Sequence, residues 1–278
     1  MGIERSCTLT SYSTVITLVS LMNTPQDLDV DDTNVYFTDT GDNSIWRVPK
    51  TGGTAVALAT GQSNPTFLAL DSQYVYWNNA GALSIARVPK AGGAVETVVT
   101  TSAAPVNIAL DDVNVYWIAE PVQYNGGFYS APKAGGGTES LVGKPVNPNG
   151  QGMNVRAANS RLAYPLRYAD VGGSRLWSPT GLLFRNGGDV VGRGAELYEG
   201  NQFDNGAHYA GVVQDITSNS CARYWITPTG VLRGYSLSNA EQVASATQPR
   251  HVAADGQFVY WTEGRAVRKA TTGDNQSP

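Results

Sequence analysis

Residues 65–93 read PTFLALDSQYVYWNNAGALSIARVPKAGG. The stretch PQDLDVDDTNVYFTDTGDNSIWRVPKTGG, from Pro25, has the same plan, and so does PVNIALDDVNVYWIAEPVQYNGGFYSAPKAGG, from Pro105. Val35, Val75 and Val115 mark one position of this plan and lie 40 residues apart. Self-similarity at that period means one supersecondary unit copied along the chain.

Inside the unit, LAL and YVYW are short, rich in β-branched and aromatic residues, and separated by Asp71-Ser72-Gln73. That is strand, tight turn, strand. A polar Asn78-Asn79-Ala80-Gly81 loop follows, then LSIARVP as a third strand. Lys90-Ala91-Gly92-Gly93 supplies the glycines of a hairpin turn, because only glycine takes positive φ without steric cost. AVETVVTT is the fourth strand. Four strands in about 40 residues match a propeller blade. No stretch sustains the 3.6-residue apolar period of a helical repeat. The expected fold class is all-β, a six-bladed β-propeller of four-stranded blades in a single domain.

The second-strand motif carries a resemblance. Phe37-Thr38-Asp39, Tyr76-Trp77-Asn78-Asn79, Tyr116-Trp117 and Tyr260-Trp261-Thr262-Glu263 resemble the YWTD repeats of LDL-receptor class B propellers. The Val-Pro-Lys segments resemble bacterial relatives of that superfamily. Leu162-Ala163-Tyr164 and Tyr224-Trp225-Ile226 keep part of the motif. The resemblance implies six blades, ligand binding, and an extracellular or periplasmic setting.

The two ends of the chain complement each other. STVITLVSL at 13–21 reads as a fourth strand with no first three before it, and RHVAADGQFVYWTEGRAVRKATTG, from Arg250, has three strands and stops. The N-terminal strand is therefore expected to complete the last blade and remove two open sheet edges. Blade four is expected over MNVRAANSRLAYPLRY, GSRLWSP and LLFRN. Residues 187–213 fit no strand slot and read as a loop insertion. Seven blades is the alternative count, should that insertion hold a blade.

The composition narrows the function. Charged residues are 15% of the chain and the net charge is −4, which disfavours the basic footprint of nucleic-acid binding. No apolar run reaches the roughly 18 residues of a membrane span. Nothing reads as a signal peptide. Cys7 and Cys221 are either two thiols or a disulfide across neighbouring blades, and no CxxC spacing suggests zinc.

In the up-and-down order of a blade, connections between blades and between strands two and three share one face. That face receives every long connection, at 119–127, 143–153, 167–174 and 187–213. Long connections concentrated on one face favour a binding site there. Eight residues before each second-strand motif stand Asp27, Phe67, Asn107, Asn154, Asp215 and His251. All are expected at the mouth of the central channel on the long-connection face. Asp and Asn oxygens converging on an axis suit Ca²⁺ or another divalent cation, held by Asp27, Asn107, Asn154 and Asp215. They equally suit hydrogen bonding to a polyol. The ring resembles that of gluconolactonase-like propellers, whose metal ligands occupy this position; here their Glu is missing and a His is added.

His208 and His251, the two histidines, both fall on this face and are candidates for acid–base work. Tyr124, Phe128, Tyr168, Tyr198, Phe203 and Tyr209 are candidates for stacking on a ligand or for anchoring loops. Arg167, Arg185, Arg193 and Arg250 are candidate carboxylate clamps. By contrast Asp31, Asp71, Asp111 and Asp255 precede tight turns and read as turn formers. Three functions stay open: a module binding a small molecule, glycan or peptide; a metal-assisted hydrolase, lactonase or lyase; and a protein-interaction scaffold.

Overall fold

The computed structural model describes residues 8–9, 14–119, 127–143, 156–158, 161–163, 183–185, 189–193, 196–199, 208–209, 214–218, 222–234, 240–272 and 274–275. The first sheet is Pro25–Val30, Asn34–Asp39, Ser44–Pro49 and Val56–Ala59. The second is Pro65–Leu70, Tyr74–Asn79, Ser84–Pro89 and Glu96–Thr100, and the third Pro105–Leu110, Asn114–Ala119, Gly127–Pro132 and Ser140–Gly143. A later sheet holds Asp215–Ser218, Arg223–Thr227, Gly230–Gly234 and Glu241–Ser245. The closing sheet holds Pro249–Ala254, Phe258–Glu263 and Ala266–Thr271. In each of these the strands pair in sequence order, antiparallel.

Closure is as expected. Ile16–Val19 pairs antiparallel with Ala266–Thr271 as the outermost strand of the closing sheet. Thr8–Leu9 pairs with Asp274–Asn275.

The region between the third sheet and Asp215 departs from expectation. Arg156–Ala158 and Arg161–Ala163 form a hairpin. Leu183–Arg185, inside the LLFRN segment expected as the outer strand of blade four, instead opens a separate four-stranded sheet with Asp189–Arg193, Glu196–Glu199 and His208–Tyr209. Residues 187–213 are thus not simply an inserted loop. Their short runs, such as Asp189-Val190-Val191 and Glu196-Leu197-Tyr198, pair with their neighbours in sequence, antiparallel.

The first strands of the sheets pack side by side, in the order Asp215–Ser218, Pro249–Ala254, Pro25–Val30, Pro65–Leu70, Pro105–Leu110. Proline opens four of them, a position where the missing N–H costs no ladder bond. The hydrophobic cores lie between neighbouring sheets. One contains Tyr36, Ile45 and Leu58 of the first sheet with Leu68, Val75 and Trp77 of the second; the next contains Tyr76, Ile85 and Val98 of the second with Ile108, Val115 and Trp117 of the third. Sheets buried on both faces replace polar–apolar alternation with continuous apolar runs. That is why Tyr-Trp stands as a pair: successive side chains point to opposite faces. Tyr76 packs toward the third sheet and Trp77 toward the first.

The end carrying the short turns is fastened by a repeated clasp. Asp31 Oδ1 accepts from Thr33 N and Asn34 N, while Oδ2 accepts from the Tyr36 hydroxyl at 2.9 Å. Asp71, Asp111 and Asp255 do the same in their own sheets, so the turn-forming role expected of all four holds. The lysine of the following sheet then reaches back: Lys90 to Asp31 at 3.1 Å, Lys133 to Asp71 at 3.2 Å, Lys50 to Asp255 at 2.6 Å. In return Arg47 donates to Lys90 O, Arg87 to Lys133 O and Lys269 to Lys50 O. The glycines beside these lysines take the positive φ that the turn needs, +94° at Gly92 and +144° at Gly93.

Burial alone would push these four carboxyls up, but the N–H, hydroxyl and lysine contacts outweigh it and hold them below the ordinary carboxylate range. A depressed folded value stabilises the fold above the ordinary one and is lost as pH falls through the folded one. Melting temperature is therefore expected to fall steeply below about pH 4. The Asp71→Asn variant is expected to melt lower at neutral pH and to show a shallower acid limb. Melts across an acid pH series check this; parallel curves for the two proteins would rule the clasp out as a contributor.

Candidate functional site

The register fixes the ring. Leu28 pairs with Phe37, Leu68 with Trp77, Ile108 with Trp117, Ile216 with Trp225 and Val252 with Trp261. Asp27, Phe67, Asn107, Asp215 and His251 each immediately precede the first member of such a pair. They therefore occupy one equivalent position, where each innermost strand begins. In four of the five sheets the ladder slips here, between Pro25 and Leu28, Pro65 and Leu68, Val106 and Ile108, and Pro249 and Val252. Such bulges turn side chains away from the regular pleat. Asn107 sits at φ 56°, in the left-handed region that Asn tolerates better than most residues.

The motif residues hold the bulges open. Asp27 N–H donates to Thr38 Oγ1, Phe67 N–H to Asn78 Oδ1 and His251 N–H to Thr262 Oγ1. Each partner also reaches the next sheet: Thr38 donates to Thr66 O, Asn78 to Pro105 O and Thr262 to Gln26 O. The following residue ties down the connections. Asp39 accepts from Asn23 N and Thr24 N, Asn79 from Ser63 N, and Glu263 from Thr247 N and from Trp261 Nε1. The third sheet has Ala119 at this place, and Trp117 Nε1 is buried with no hydrogen-bond partner among the described residues.

Asp27, Phe67, Asp215 and His251 come together. His251 Nδ1 lies 3.4 Å from Asp27 Oδ1 and 3.3 Å from Asp215 Oδ2. Phe67 meets the imidazole edge-on, with centroids 5.3 Å apart. Asp27 also accepts Leu28 N at Oδ1 and Leu68 N at Oδ2, and Asp215 accepts Val252 N. Each aspartate thus spans two neighbouring sheets, and His251 connects the two aspartates across a third. Asp27, Asn107, Asp215 and His251 are all buried. Asn107 accepts Ile108 N at its own Oδ1.

Sequence reasoning passed over Gln26. Its Nε2 lies 3.4 Å from His251 Nε2. Its signal was adjacency: the residues before the ring positions include Gln26, Thr66, Gln214 and Arg250.

Other candidates are placed differently. Arg250 donates Nη1 to Pro25 O and Gly264 O, so its guanidinium fastens the closing seam rather than standing ready as a clamp. Phe128, Tyr198 and Tyr209 lie in strands, not in loops. Arg185 and Arg193 are also strand residues, and His208 pairs with Tyr198. Asn154, Tyr124, Tyr168, Phe203, Arg167, Cys7 and Cys221 lie outside the described residues.

A hard cation takes about six to eight oxygens; Asp27 offers two, each of which also accepts a backbone N–H. Among the described residues no group of three or more His, Cys, Asp or Glu side chains is arranged to hold a metal ion.

At the opposite end, Leu70, Asp71, Ser72, Leu110, Asp111, Asp112 and Lys133 line an open cavity of about 720 Å³. Its Asp71, Asp111 and Lys133 belong to the turns and clasps already described. Among the described residues no helix is long and apolar enough to cross a membrane.

No protein-family model and no curated protein matches the sequence. Solved structures do. Virginiamycin B lyase from Staphylococcus aureus superposes with TM-score 0.67 at 13% identity, over 94% of this chain and 99% of the lyase. A gluconolactonase from Xanthomonas campestris gives TM-score 0.62 at 12% identity, over 92% and 89%. The chain is a β-propeller. A chain of the mitotic checkpoint complex, at TM-score 0.67 and 10% identity over 98% and 94%, shows how widely this propeller architecture is shared. Likeness at such identities carries the fold alone.

Proposed function

We propose that this propeller binds a small molecule, glycan or peptide over the mouth of its channel, at the end where the innermost strands begin. One observation supports this above the others: buried polar groups from neighbouring blades meet around a single imidazole at equivalent positions. A bare scaffold needs no such convergence, and buried polar groups are costly unless satisfied.

A second reading is a lactonase or lyase, the activities named for two similar structures. It is favoured by the carboxylates that orient His251 Nδ1, since an imidazole so held is set for proton transfer at its other nitrogen.

A glycan array and a small-molecule panel, followed by titration calorimetry on the hits, test the binding reading. His251→Ala is expected to weaken the best hit about tenfold or more, the worth of one well-placed hydrogen bond. Unchanged affinity in a folded His251→Ala protein would move the site off the ring. Turnover of the hit by the wild-type protein, abolished in the same variant, would favour the enzyme. A rise in melting temperature with Ca²⁺, reversed by EDTA, would support a bound cation at the ring.

A further inference from the structure

The two nitrogens of His251 face different chemistry. Nδ1 points at two carboxylate oxygens, 3.4 and 3.3 Å away. A lone pair aimed at two anions is repelled, so Nδ1 carries the proton. Nε2 faces the side-chain amide nitrogen of Gln26 at 3.4 Å, a donor group, and so acts as acceptor. That hydrogen bond is near the long limit of useful geometry and is correspondingly weak.

Gln26 is only partly buried, whereas His251 is buried, so of the two residues Gln26 is the more accessible to solvent. It is held in place by its backbone, because Gln26 and Asp27 share the slip in the ladder between Pro25 and Leu28. Among the described residues the charges near this point are engaged: Arg250 on the carbonyls of Pro25 and Gly264, Asp27 on two N–H groups and His251, and Asp215 on Val252 N and His251. Phe67 contributes an apolar ring beside the imidazole.

We infer that His251 Nε2 is the acceptor atom for the ligand, that Gln26 occupies the place of the ligand's donor when none is bound, and that the ligand presents a hydroxyl, as an uncharged polyol does. This rests on the ligand-binding reading above and deepens it. A hydroxyl makes a shorter bond to Nε2 than the 3.4 Å contact, and Phe67 offers the C–H groups of a polyol an apolar neighbour. A carboxylate ligand would meet an acceptor rather than a donor at Nε2.

The full chain has two histidines, so ¹⁵N-histidine labelling gives two imidazoles, assigned with His208→Gln. At neutral pH, long-range ¹H–¹⁵N spectra are expected to show His251 protonated at Nδ1 and unprotonated at Nε2. Gln26→Ala is expected to move the Nε2 resonance and leave Nδ1 protonated. D-glucitol, as the probe, is expected to shift Nε2 of His251 and not the imidazole of His208. Because Gln26 competes for Nε2, Gln26→Ala is expected to tighten D-glucitol binding several-fold, whereas Asp215→Asn weakens it by freeing the ring.

A proton on Nε2 of the unliganded protein would overturn the acceptor assignment whether or not the array finds a ligand. No response to D-glucitol would overturn the polyol class and leave the array result standing. Weaker binding in Gln26→Ala would overturn the place given to Gln26.

Discussion

A chain beginning at Thr24 is expected to lose cooperative unfolding and to aggregate. Such a truncation removes Ile16–Val19, the outermost strand of the closing sheet, and bares the edge of Ala266–Thr271. An unpaired edge of that kind invites association with other chains. It also removes Leu18 and Met22, which are 5% and 7% exposed and pack with Leu28, Val35 and Phe37 of the first blade and Tyr260 and Val267 of the last. The reciprocal bonds between Met22 and Arg265 go as well. Truncating one buried leucine or methionine to alanine costs about 2–5 kcal/mol. A domain has about 5–15 kcal/mol to lose. Two such side chains and a strand's ladder therefore consume most of it, and the remaining seam contacts do not compensate. Lys50 to Asp255 is partly exposed and fixed to one end only. Urea unfolding followed by tryptophan fluorescence checks this, with Leu18→Ala as the milder companion, expected about 2–5 kcal/mol less stable with an unchanged slope. A truncated chain with a sharp transition near the wild-type midpoint would show the closing strand to be dispensable.

The closing strand was legible because its apolar, β-branched run has no partners before it, while the last repeat stops one strand short. The Tyr-Trp pairs were legible because a sheet buried on both faces needs one large side chain on each. Ring positions followed from counting back from those pairs, since register converts a sequence offset into a shared height. What the count could not supply was the direction of the side chains. That depends on bulges, which local sequence does not mark, and on Thr38, Asn78 and Thr262, whose second partners lie in the next blade. Arg250 shows the same limit: adjacent in sequence to His251, it points to backbone carbonyls. The lysine clasps went unread because a Lys-x-Gly-Gly turn looks self-sufficient, and its contact lies some 60 residues back in the case of Lys133 and Asp71. The Leu183–Tyr209 sheet was hidden by strands of two to five residues, too short for a periodic signal.

Asp27→Ala is expected to destabilise the protein by about 3–5 kcal/mol, the cost of removing a buried carboxylate and leaving its hydrogen-bond partners unpaired. Two effects oppose each other at this site. Removing a buried carboxylate recovers the free energy spent on taking it out of water. It also strands Leu28 N, Leu68 N and one side of His251 Nδ1, and each unsatisfied buried donor costs about 1–3 kcal/mol. Asp27 is 2% exposed, so water cannot take over its bonds, and the loss prevails. Asp27→Asn keeps one acceptor oxygen but turns an amide N–H₂ toward a donor, which places its cost between wild type and alanine. Asp215→Ala is expected to destabilise in the same direction, because it strands Val252 N and the other side of His251. The double variant Asp27→Ala/His251→Ala separates fastening from recognition. If the imidazole ties the first blade to its neighbours, the paired substitutions cost less than their sum, with a coupling of about 0.5–3 kcal/mol. Strict additivity in urea melts would mean that His251 carries no share of the closure, and that its position between two carboxylates serves the ligand alone.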